Sequence, residues 1–217
     1  NKKGIKLSLN NIIPPDRFVG LHAHSTFSTF DGLGYPADHI NFVLSESQGM
    51  DALSLTDHGN GNGLAHAHSH AVKMQKAGRK YRQIYGVEFY FVPSLQQWTE
   101  EYSAHRQAIK DAKTAAAAEK KSKEKVDIDA DDEAGGLVVE DEDETKKIDV
   151  LKDEWKRRYH LVVTARNQQG LKNLFTLVKK SYKYGFYRYP RIDFKMLQEH
   201  GEGLHVSTAC LGGIYSN

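Results

Sequence analysis

Apolar positions fall first into short runs and helix-period stripes that alternate along the chain. "RFVGLHAH", residues 17–24, reads as a strand that ends in polar residues. "YPADHINFVLSESQG", residues 35–49, reads as a helix with Pro36 near its start and Gly49 after its end. "MDALSLTDHG", residues 50–59, is a short buried strand with a second polar end. "LAHAHSHAVKMQKAG", residues 64–78, is a helix stopped by Gly78. "YRQIYGVEFYFV", residues 81–92, is rich in β-branched and aromatic residues and predicts a strand. This βαβαβ order predicts a parallel sheet with helical crossovers, in a layered α/β fold or a barrel.

The pattern then breaks. Residues 106–125 are Lys/Ala-rich, and residues 127–144 carry ten acids with no Lys or Arg. Like charges packed this densely repel one another and bury too little surface to order. Residues 99–155 are therefore expected to be an insertion, a solvated helix followed by a disordered stretch. An inert surface loop is the plainer reading of it, and a regulatory element the alternative. The α/β pattern resumes with a strand at "YHLVVTARN", residues 159–167. An amphipathic helix follows over 168–185, with Leu171, Leu174, Phe175 and Val178 at helical spacing. "RIDFKMLQEHG", residues 191–201, is a short helix with Asp193 as its N-cap. "GLHVSTACLGG", residues 203–213, is a last strand running into a glycine turn. The expected organisation is an N-terminal extension (1–16), a first part of the domain (17–98), the insertion (99–155) and a second part (156–217).

Composition narrows the function classes. The 217 residues suffice for one sizeable core. No apolar run is long enough to span a membrane, and "NKKGIKLSLN" lacks the apolar centre of a signal peptide. The single cysteine, Cys210, excludes an internal disulfide and fits a reducing, cytoplasmic setting. The net charge of +2 hides an asymmetry: residues 99–155 carry 10 basic and 18 acidic side chains, against 20 and 10 in the remainder. A basic body favours a polyanionic partner such as nucleic acid, with solubility alone as the alternative.

Polar residues of one chemical kind collect at the predicted strand ends. His22 and His24 close the first strand and, two apart, face the same side. Asp57 and His58 close the second, Glu88 lies on the third, His160 opens the fourth and Cys210 closes the last. Chemistry in parallel α/β folds gathers at carboxyl ends of strands. Mixed imidazole and carboxylate donors suit Zn, Mn or Fe better than Mg or Ca. They outnumber the four ligands of one structural zinc, so two or more ions are implied, an arrangement suited to phosphoryl hydrolysis. Taken singly, each histidine is more readily an ordinary capped or solvated polar group; taken together they are not.

"HAHS" with "FDG", then "SLTDHG", "YGVEFY", "YHLVVTARN", "GFYRYPRID" and "STACLGG" resemble, in that order, the PHP (polymerase and histidinol phosphatase) domain at the N-terminus of bacterial DNA polymerase III alpha subunits. The resemblance covers about 18–93 and 159–213. It implies a distorted seven-stranded (β/α) barrel with two to three divalent ions in its mouth. The matching ligand positions are His22, His24, Asp31, His58, Glu88, His160 and Cys210, with Glu88 bridging ions and Asp57 orienting them from behind. It further implies metal-dependent 3′–5′ exonuclease chemistry on DNA, with the rest of the polymerase and other replication proteins as partners. Two departures accompany it. The family's late Asp-x-His pair and the polymerase palm do not occur before Asn217, so the barrel is expected to be incomplete at its C-terminus. The long charged insertion suggests a divergent, phage-encoded member. A free-standing phosphoesterase for a small phosphomonoester and a non-catalytic metal-stabilised scaffold are the competing functions.

Three features stand apart from this reading. "HAHSH" puts His66 and His70 at i, i+4, a workable ligand spacing, though a solvated helix face is the simpler account. His39, His105, His200 and His205 have no evident partner. "KKSYKYGFYRYPR", residues 179–191, interleaves basic residues with five aromatics. That composition suits a single-strand binding surface, with Arg188 and Arg191 as phosphate contacts, and equally a packing surface.

Overall fold

The computed structural model of the chain describes residues 18–45, 50–124 and 158–214. The expected N-terminal extension and the acidic stretch 127–144 lie outside the described residues. Helix α1 (Pro36–Leu44) leads to strand β1 (Ala52–Leu55), helix α2 (Asn62–Lys76) and strand β2 (Arg82–Phe91). Helix α3 (Leu95–Glu124) follows, then β3 (Tyr159–Ala165), α4 (Gln168–Tyr184), β4 (Arg191–Ile192), α5 (Phe194–His200) and β5 (Leu204–Thr208). The result is a mixed α/β fold with one five-stranded sheet among the described residues.

Only part of that sheet is parallel. β1 and β4 run parallel to β2, but β3 is antiparallel to β2 and β5 antiparallel to β3. The crossover through α2 gives the expected parallel pair. After β2 the apolar positions of α3 are too sparse to make a core-facing stripe, and its described side chains are mostly exposed. That helix carries the chain away, and it returns at Tyr159 running the opposite way.

The predicted first strand is also corrected. It shrinks to one parallel bridge, Gly20 to Leu53, with the Ser54 and Thr56 amides donating to the Gly20 and Ala23 carbonyls at 2.8 Å each. Beyond Ala23 the backbone folds into tight turns, the Ser28 amide donating to Ser25 and the Asp31 and Gly32 amides to Ser28. Extended pairing ends where those turns begin.

Two apolar clusters hold the elements. One joins Val87, Phe89 and Phe91 of β2 to Leu161 and Val163 of β3 and to Leu174 and Leu177 of α4. The other packs Ile40 and Val43 of α1 against Leu53 and Leu55 of β1 and Ala67 and Ala71 of α2. On α4 the buried face is Leu174 and Leu177, whereas Phe175, expected inside, is half exposed. Asp193 caps α5 as expected, its carboxylate accepting from the Met196 amide at 2.9 Å.

Candidate metal centre

Glu88 lies at the centre of the site. It sits midway along β2, fully buried, where β1 has ended and β4 has not begun. His58 fills that gap as a bridge to Glu88, in the register that β1 had set. Gly59 makes the turn away possible: its φ is +64°, and a Cβ there would fall 2.8 Å from Pro190 Cγ.

Around this carboxylate the chain brings four histidines and an aspartate from distant segments. His22 Nε2 lies 2.5 Å and His24 Nε2 2.9 Å from Glu88 Oε2, and the two nitrogens are 3.1 Å apart. His160 Nδ1 lies 2.8 Å from Glu88 Oε1. His58 Nε2 meets Asp31 Oδ2 at 2.9 Å, and His24 Nε2 is 3.8 Å from the same oxygen. The His24 and His58 rings stack with centroids 4.3 Å apart. Three donor groups result: His22–His24–Glu88, His24–Asp31–His58 and His58–Glu88–His160. They overlap through His24, His58 and Glu88.

Cys210 stands at the rim, its Sγ 3.4 Å from His160 Nδ1 and receiving the Gly212 amide at 3.3 Å. It is outside the three tight groups. Asp57 points elsewhere. Its Oδ1 accepts from the Ser25 amide at 2.7 Å and from Ser28 Oγ at 2.8 Å, and its Oδ2 accepts from Ser25 Oγ at 2.8 Å. Ser28 Oγ also lies 3.2 Å from His24 Nδ1. A hydroxyl has one proton, and Ser28 gives it to the carboxylate. Ser28 therefore accepts from His24 Nδ1–H, which leaves His24 Nε2 to face Glu88, donating to it while the imidazole is protonated.

The electrostatics follow from crowding. Burial works to raise the Glu88 carboxyl, but the close imidazoles of His160, His22 and His24 and the charge of His58 outweigh it, holding the group well below the carboxylate range. Burial likewise opposes protonation of His24, yet Glu88, with Asp31 and Asp57, raises it. His58 goes the other way: burial, assisted by His24 and His160, lowers it despite Glu88.

The residues fit metal ions on two counts. His58 Nδ1 and Glu88 Oε1 are buried without a hydrogen-bond partner, although His160 Nδ1 stands near the latter in poor alignment. The donor atoms are mixed nitrogen and oxygen, spaced as around a small divalent ion whose bonds are roughly 2.0–2.2 Å long.

The other predicted residues are placed as follows. His66 stacks on Phe27 with centroids 5.3 Å apart, His68 Nδ1 meets the Tyr85 hydroxyl at 2.7 Å, and His70 Nε2 meets Asn41 Oδ1 at 2.8 Å, so each is engaged separately. His39, without an evident partner in the sequence, has Nε2 2.7 Å from the Leu33 carbonyl. Arg188 is exposed, whereas Arg191 is buried with its Nε donating to Gly185 O at 2.8 Å and its guanidinium 3.8 Å above the Trp98 ring. Ser25 and Ser28, whose spacing in "HAHSTFS" is the one available signal in the sequence, and Tyr90, whose ring stacks on His58 at 5.7 Å, join the centre without having stood out in the sequence.

A family model for the PHP domain matches residues 20–216. The chain belongs to the PHP domain family. PHP domains are metal-dependent, and the His/Glu groups above are ones able to hold a metal. Over 202 residues this PHP domain is 32% identical to a DNA polymerase III subunit alpha of Borreliella burgdorferi, a match covering 91% of this chain and 12% of that one. It is 30% identical over 201 residues to the same subunit of Aquifex aeolicus, covering 91% and 12%. A shorter stretch of 58 residues is 47% identical to the Campylobacter jejuni subunit. The chain thus spans about 12% of the length of the first two curated relatives. No described helix of the PHP domain is long and apolar enough to cross a membrane.

Proposed function

We propose that this PHP domain is the N-terminal portion of a DNA polymerase III alpha subunit and hydrolyses phosphodiester bonds at DNA 3′ ends, using two to three ions of zinc, manganese or iron. Its working setting is the cytoplasm, with the polymerase remainder and other replication proteins as partners. Residues 17–98 and 156–217 form one domain interrupted by the insertion 99–155, in the seven-stranded barrel of the family.

The observation that carries the reading is Glu88: a fully buried carboxylate ringed by four histidines, with one oxygen lacking a hydrogen bond. A carboxylate so placed is suited to bridging cations. His22, His24 and Glu88 would hold one ion, His24, Asp31 and His58 a second, and His58, Glu88 and His160 a third beside Cys210. When bound, such ions neutralise charge on a phosphoryl group and lower the pKa of water. Asp57 acts behind them: through Ser28 it fixes the tautomer and angle of His24. The basic body supports DNA over a small phosphomonoester.

Elemental analysis of purified protein, expected to find two to three ions per chain, tests the centre; less than one overturns it. Replacing His22 and His24 together by Ala is expected to lower 3′ trimming at least about a hundredfold, the scale of losing a first-rank electrostatic group. Unchanged trimming in that variant overturns the assignment of activity to this site.

A further inference from the structure

One wall of the centre is aromatic and carries a cation that nothing above has used. Tyr90, two residues beyond Glu88, stacks on His58 and meets the His160 ring edge-on, with centroids 5.7 and 5.3 Å away. Its next neighbour outward is Tyr189, at 4.6 Å between centroids. Over Tyr189 lies the Arg158 guanidinium, 4.2 Å from the ring centroid and 5.8 Å from that of Tyr90. The order is ligand histidines, Tyr90, then Tyr189 with Arg158. The outer two residues are exposed to solvent.

The backbone is bent to make this wall. Tyr189 follows Arg188, which adopts a left-handed φ of 59°, and the Tyr187 amide donates to the Tyr189 carbonyl across that turn at 3.1 Å. The turn sends Tyr187 to Trp98 and Tyr102, at 4.8 and 5.0 Å, and Tyr189 to the metal centre. Left-handed backbone at an arginine is costly, and such strain concentrates at binding sites. It leaves the Arg188 side chain exposed beside the wall.

A guanidinium stacked on a tyrosine loses little rotamer freedom when it takes up an anion, and its donors match phosphate. We propose that Arg158, held by Tyr189, clamps a DNA phosphate adjacent to the one hydrolysed, so that the site selects a polynucleotide end over an isolated phosphate ester. The proposal rests on the reading above and specifies its substrate. Arg158 binds the strand; Tyr189 is a positioning residue that acts through it. A small diester with one phosphate never reaches the clamp.

The test compares Arg158→Ala, Arg158→Lys, Tyr189→Ala and the double Ala variant in the full chain. Substrates are a single-stranded oligonucleotide and bis(p-nitrophenyl) phosphate. Arg158→Ala is expected to raise KM for the oligonucleotide about tenfold, in the range of one lost stacked phosphate contact. The slope of log affinity against log salt falls by about 0.7, one single-strand phosphate contact. Rates on the small diester stay within twofold. Arg158→Lys restores the salt slope but only part of the affinity, and Tyr189→Ala adds nothing once Arg158 is gone. Equal loss on both substrates, or an unchanged salt slope, overturns the clamp. If the unaltered protein hydrolyses neither substrate, the catalytic reading fails, and fluorescence anisotropy of oligonucleotide binding decides the clamp. The same tenfold and slope changes then support it; binding indifferent to Arg158 removes it.

Discussion

Replacing Asp57 by Ala removes the acceptor of three hydrogen bonds at once, from the Ser25 amide, the Ser25 hydroxyl and the Ser28 hydroxyl. Asp57 is 3% exposed, Ser25 0% and Ser28 1%, so bulk water does not replace the lost acceptor. Hydrogen bonds to a charged group contribute about 1.5–3 kcal/mol each, and bonds sharing one carboxylate fall short of additivity. We expect a loss of about 4 kcal/mol, or roughly 8–16 °C in Tm for a chain of this size. Asp57→Asn is different. Its oxygen still accepts from the Ser25 amide and Ser28, and its amide nitrogen donates to Ser25 Oγ. Only charge assistance goes, costing about 1 kcal/mol. Urea unfolding followed by tryptophan fluorescence in EDTA measures both. Metal affinity should follow the same order, near the parent value in Asn and reduced about tenfold or more in Ala, because Ser28 orients His24 only while it has an acceptor. Equal stability of the two variants would refute the hydrogen-bond argument, and equal loss of metal would make Asp57 a ligand in its own right.

The other predictions concern other side chains of the fold. Leu177→Ala, at a fully buried position on α4, should cost roughly 2–5 kcal/mol. Phe175→Ala, two positions earlier and half exposed, should cost less despite the larger side chain, as paired urea midpoints will show. Phe30 is fully exposed at φ +68°, so Phe30→Gly should stabilise by about 0.5–1 kcal/mol, the left-handed strain relieved exceeding the added chain entropy; a destabilised variant would mean that the ring packs. Burial raises the phenols of Tyr81, Tyr85 and Tyr90 above 10.0. Raised folded-state values mean that this contribution is complete below pH ~10 and lost as pH rises through the folded values, because the unfolded phenols ionise first. Thermal melts across that range should show the decline, and it should be shallower in Tyr81→Phe.

What could be read from the sequence was local. The helices at Pro36–Leu44, Asn62–Lys76 and Gln168–Tyr184 and the strands at Arg82–Phe91 and Tyr159–Ala165 were legible from apolar runs, helical spacing and Pro or Gly boundaries, and Asp193 from cap chemistry. The direction of β3 was not readable, because it depends on where the chain returns after 99–155. The first strand failed for a related reason: "FVGLHAH" has strand composition, but the Ser25–Gly32 turns capture the backbone after two bonds. The histidines and Glu88 were visible as chemistry on the predicted strands and Asp31 through the family resemblance, and the structure gathers them into overlapping groups whose donor atoms lie within 4.8 Å of one another. Arg191 shows the limit of composition. A run of arginines and aromatics looks the same whether a guanidinium stacks outward or, as here, beneath Trp98.

The position of Glu88 accounts for the rest of the centre. A glutamate inside a continuous sheet would meet neighbouring strand side chains on both sides, and burial would neutralise it. One edge of β2 is instead served in turn by β1, by the single bridge of His58 and by β4. The interruption falls at Glu88. His58 enters through it, and His160 arrives from the other edge, where it pairs with Tyr90. The segment carrying His22 and His24 is joined to β1 by two backbone bonds, so its contacts to Glu88 and to Asp57 make up much of its attachment. Glu88 keeps its charge because that segment supplies donors, and the segment stays in place because the carboxylates attract it. Each is stable only with the other, which is the condition under which shared cations would strengthen the fold and the site together.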